Sequence, residues 1–136
     1  MNKDEEIQLA KTALTLAQKD LQLAIQLLGD DDQHQNCGLH LQQAAEKALK
    51  AIIHANSGEF NFRKGHSLPH LRDSLEETGY KLDSKFEILD SLEEYAVNGR
   101  YIILAEEERA DLTGLSGLVQ ELFELAQSYL AAIQKD

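Results

Sequence analysis

The chain has 136 residues, 43% of them hydrophobic, which suits one domain with its own core and excludes a disordered acidic tail. It carries 13 Lys and Arg against 24 Asp and Glu, a formal net charge of −11. So acidic a surface repels phosphate backbones, which argues against general nucleic-acid binding and leaves room for one local basic site.

The single cysteine, Cys37, cannot close an intramolecular disulfide, which fits a reducing compartment. With no activating partner nearby in sequence, it reads as an idle buried thiol. No apolar run approaches the roughly 20 residues of a membrane span. The first six residues are polar and acidic apart from Met1, unlike a signal peptide. The expectation is a soluble cytoplasmic protein, a single domain over 1–136.

One proline, two valines and no alternating apolar/polar segment argue against strands and for an all-α chain. The first helix is predicted from about Asp4 to Leu28. Ile7, Ala10, Leu14, Ala17, Leu21, Ile25 and Leu28 form one apolar stripe. Leu9, Ala13, Leu16, Leu23 and Leu27 form a second beside it. Together the stripes cover about half the circumference. Such a helix either sits deep in a bundle or turns its second stripe to a partner subunit. A second helix is predicted from Gln33 or Asn36 to Asn56, with Leu41, Ala44, Ala45, Ala48, Leu49, Ile52, Ile53 and Ala55 inward. A short helix over Leu68–Glu77 follows, with Ser67 as its N-cap and Pro69 in its first turn. A third long helix is predicted over Ser84–Asn98, with Phe86, Leu89, Leu92 and Ala96 on its face and Tyr95 on its flank. The last is predicted over Leu115–Gln134. These elements suggest an up-and-down bundle of four long helices plus one short helix.

Five places carry polar residues that a packed helix must account for. Asp20 lies between the two apolar stripes and needs a cation or several donors. Glu46 and Lys50 stand four apart beside the apolar face of the second helix, and Gln42 stands four before Glu46. Arg63, Lys64, His66, His70 and Arg72 concentrate basic groups before and in the short helix, a patch that suits an anion. His66 and His70 are four apart, but His66 precedes the helix and no acidic third ligand stands at a recognisable spacing, so no metal site is expected. Arg100 closes an apolar stretch with no acidic residue within four positions, and turned inward it would pair with Asp20, Glu46 or an anion. No glycine-rich phosphate loop, serine elbow or paired metal motif is present.

Ala17-x-x-Asp20-Leu21-x-x-Ala24-x-x-Leu27-Leu28 is followed by Gln43-Ala44-Ala45-Glu46-Lys47-Ala48-Leu49-Lys50-Ala51. His66-Ser67-Leu68-x-x-Leu71 and Tyr95…Arg100-Tyr101 come next. Across about residues 5–134 the chain resembles the HEPN domain family (higher eukaryotes and prokaryotes nucleotide-binding). The resemblance implies a bundle of four or five helices, usually a homodimer. It also implies a minimal nucleotidyltransferase as protein partner, often in a toxin–antitoxin module. Other members of the family are metal-independent endoribonucleases with an Arg, four to six residues and then a His. Here 105–107 are Ala105, Glu106 and Glu107, and no histidine follows His70. An imidazole is what moves protons in such a reaction.

The leading expectation is therefore a non-catalytic module that needs no cofactor. It would be the dimeric nucleotide- or substrate-binding partner of a nucleotidyltransferase. Its ligand or anion site would comprise Arg100, Lys50, Glu46, Asp20, Tyr101 and His66, with Asp20 and Glu46 orienting the cations. The alternatives are an endoribonuclease using Arg100 with a histidine supplied in space, and a purely structural dimeric bundle.

Overall fold

The structure, a computed structural model, describes residues 2–56, 66–97 and 111–134. Helix α1 spans Lys3–Leu27, α2 His34–Ala55, α3 Leu68–Glu77, α4 Glu93–Val97 and α5 Leu112–Gln134. Short 3-10 stretches cover Asp31–Gln33 and Ser84–Leu92. The chain is all-α, with no strand among the described residues.

The Asn2 side chain caps α1 by accepting from Glu5 N–H, and Asp4, Glu5 and Glu6 place carboxylates at the positive end of the helix dipole. After α1, Gly29 takes a φ of +86°, a left-handed turn that favours glycine. The chain then doubles back, and α2 runs antiparallel to α1. Cys37 Sγ near the start of α2 donates to the Ala24 carbonyl near the end of α1, at 3.3 Å. At the other end Ala10, Ala51 and Leu130 pack together. Three small residues spaced by seven, Ala10, Ala17 and Ala24, are fully buried on α1. They face the alanine-rich side of α2 and let the two backbones approach closely.

Helix α2 is the centre of the bundle. Asn36 is its one exposed residue, so its other polar residues are half-buried at least. The rod over Ser84–Val97 returns along α2 toward its N-terminal end, where the Tyr95 ring packs on Gly38. A Cβ at Gly38 would lie 2.4 Å from that ring, so the contact requires glycine. Helix α5 then runs beside α2 in the same direction, so that Leu112 lines a cavity with Cys37 and Tyr129 OH donates to Asn56 Oδ1. The directions of α1, α2, the Ser84–Val97 rod and α5 alternate, with α3 filling the connection after α2.

The segment predicted as one long α-helix over Ser84–Asn98 is 3-10 over Ser84–Leu92 and α-helical over Glu93–Val97. Asn98 lies outside the described residues. The sequence carries the reason. Phe86, Leu89, Leu92 and Tyr95 are all buried and spaced strictly by three. At about three residues per turn a 3-10 helix keeps such a row on one line, whereas in an α-helix it drifts by about 60° per step.

The predicted second stripe of α1 divides. Ala13 and Leu27 pack against the cores. Leu9, Leu16 and Leu23 stay 38%, 42% and 44% exposed. The reading in which α1 lies deep in the bundle therefore does not hold for this stripe. No described helix is long and apolar enough to cross a membrane.

Candidate functional site

The sequence-predicted site residues fall into separate groups. Asp20 is buried at the α1–α2 seam. Its Oδ1 lies 3.0 Å from His40 Nδ1, and its Oδ2 accepts from Lys47 Nζ. Its partners are thus His40 and Lys47, and not Lys50. Neither was singled out from sequence as a partner of Asp20, although the signal was there. An antiparallel hairpin that turns at Gly29–Asp32 sets Asp20 across from the residues near 40.

Glu46, Lys50 and His66 do come together. Lys50 Nζ lies 3.7 Å from Glu46 Oε2 and 3.1 Å from His66 Nδ1. Glu46 is buried, and burial pushes its carboxyl above the ordinary glutamate range. Lys50, His66 and Lys47 pull it part of the way back, while Glu93 pushes it further up. A carboxyl so placed holds a proton more readily than a surface glutamate.

Glu93 of α4 completes this corner and was missed in the sequence. Its Oε1 accepts from the Leu68 N–H at 2.8 Å and from Gln42 Nε2 at 3.2 Å. Ser67, the predicted N-cap, accepts from His70 N–H at 3.4 Å. The positive end of α3 therefore already faces a carboxylate of the same chain, which occupies the place that an outside anion would take.

The basic patch is reduced as well. Arg72 donates to Asp90 and lies 3.8 Å from Glu87, so that cation is internally compensated. Arg63 and Lys64 lie outside the described residues, as do Arg100 and Tyr101. His34 Nε2 lies 2.6 Å from the Tyr95 hydroxyl, and burial pushes the imidazole of half-buried His54 below its ordinary value. Cys37 is buried and its thiol is pushed up by burial, the state of an unreactive cysteine. Among the described residues no group of three or more His, Cys, Asp or Glu is placed to hold a metal ion.

The architecture is thus a helical module with a polar corner around the central helix, formed by buried Glu46 and Gln42, half-buried Lys50 and Glu93, and exposed His66. The HEPN domain model matches residues 10–129, most of the chain. The chain belongs to the HEPN domain family. Family and fold support a nucleotide-binding or ribonuclease-type helical module. No curated protein and no solved structure matches the chain.

Proposed function

We propose that the chain is a non-catalytic HEPN module that dimerises and serves as the nucleotide- or substrate-binding partner of a minimal nucleotidyltransferase, in a toxin–antitoxin-like pair in the cytoplasm. Its binding groups are Lys50, Glu46 and His66, with Arg100 and Tyr101 assigned from the sequence.

The observation that carries the non-catalytic part is the fate of the histidines. The chain has five, none of them after His70, so Arg100 lacks the imidazole that completes the ribonuclease pattern. His34, His40, His66 and His70 each make an internal side-chain hydrogen bond, to Tyr95, Asp20, Lys50 and Ser67 respectively. What supports dimerisation is the row of exposed leucines on α1.

The test is co-expression with the protein of the neighbouring gene and capture of one through a tag on the other. A stoichiometric nucleotidyltransferase is the expected result. Capture of nothing, together with metal-free RNA cleavage that is lost in Arg100→Ala, would replace this reading with the endoribonuclease one.

A further inference from the structure

The Lys50–His66 contact has a proton requirement. An ammonium has hydrogens and no lone pair, so Lys50 Nζ, 3.1 Å from His66 Nδ1, donates only to a bare Nδ1 on a neutral imidazole. His66 is solvent-exposed, so protons reach it. Among the described residues Lys50 meets it directly, and Glu46, which feels its charge together with those of Lys50, Glu93 and Lys47, shares the corner. Glu93 is engaged by Leu68 N–H and Gln42, and Glu46 is buried. An anion arriving here adds negative charge beside a buried carboxyl. A proton on His66 Nδ1 offsets that charge, ends the Lys50 donation and leaves both groups as donors to the anion.

We propose that a phosphate-bearing ligand binds at Lys50 and His66 with uptake of one solvent proton by His66. The inference rests on the nucleotide-binding reading of these residues and adds its control by pH. Lys50 supplies the permanent charge and His66 the conditional one.

A diribonucleoside phosphodiester is the probe, because its phosphate does not itself titrate near neutrality. Its binding to the whole protein is measured by calorimetry at about pH 6 and about pH 8, in buffers of different ionisation heat. The expected result is about tenfold tighter binding at the lower pH, with a buffer-dependent heat that reports proton uptake. Both are lost in His66→Asn and kept in His70→Asn. Equal affinity at the two pH values overturns the proton coupling and leaves nucleotide binding standing. So does a pH dependence that survives His66→Asn but disappears in Glu46→Gln, which assigns the proton to the carboxyl. No binding at either pH overturns the nucleotide reading, and this inference with it.

Discussion

Asp20 puts a carboxylate into the seam between two alanine-lined helices, and each of its oxygens meets a different α2 side chain, His40 and Lys47. Removing one partner of a buried pair costs more than the pair contributes, because the remaining charge stays desolvated. Asp20→Ala is accordingly expected to lower unfolding free energy by about 2 kcal/mol, seen as a drop in denaturant midpoint. Nucleotide affinity should stay within about twofold, since Asp20 is not in contact with Lys50 or His66. A loss of affinity at unchanged stability would return Asp20 to the binding site. Glu46 makes the opposite kind of contribution. Burial raises its carboxyl above the ordinary glutamate value, so the folded state holds this proton more tightly than the unfolded chain. Its contribution to stability is present at low pH and is lost as pH rises through the raised folded value. Glu46→Gln should therefore raise the melting temperature at neutral pH, with the gain shrinking toward about pH 4. A gain that grows on acidification would reverse the sign of this argument.

At the scale of elements, the rod over Ser84–Val97 carries two rows with a period of three. Phe86, Leu89, Leu92 and Tyr95 face the core. Glu87, Asp90 and Glu93 form the second row, the first two beside Arg72 and the third at the start of α3. One geometry thus sets both the packing of the rod and the positions of its carboxylates. Glu93→Ala removes the acceptor of Leu68 N–H and of buried Gln42, and should cost about 1–2 kcal/mol by thermal melting. Glu94→Ala, on an exposed neighbour, should be near neutral. The limits of α1, α2 and α3 were legible from apolar spacing, glycine stops and the Ser67 cap, because those signals are local. The 3-10 geometry was legible in principle, but a strict period of three passes easily for the mixed threes and fours of an α-helix. The role of Glu93 was not legible, since it depends on α4 meeting the first turn of α3 across 25 residues of chain. The grouping of Glu46 with Lys50 followed from their i,i+4 spacing. The attachment of Asp20 to His40 and Lys47 required the hairpin register.

At the scale of the whole molecule, the leucine row of α1 is an apolar row that the described bundle leaves uncovered. Leu9, Leu16 and Leu23 recur every seven residues and lie within about 40° of one another around the helix. The row is symmetric about Leu16, so an antiparallel copy of itself would set Leu9 against the partner copy's equivalent of Leu23, and Leu16 against its own equivalent. That self-complementarity is what a twofold interface requires. Leu16→Glu would place two carboxylates at the centre of such an interface while changing a position that is 42% exposed in the single chain. The expected outcome is a dimeric mass for the parent protein and a monomeric mass for the variant by light scattering at micromolar concentration, with helical content retained. A monomeric parent would instead make the row a surface for the second protein. In that case Leu16→Glu should abolish capture of the proposed nucleotidyltransferase partner while leaving the proposed phosphodiester binding at Lys50 and His66 intact.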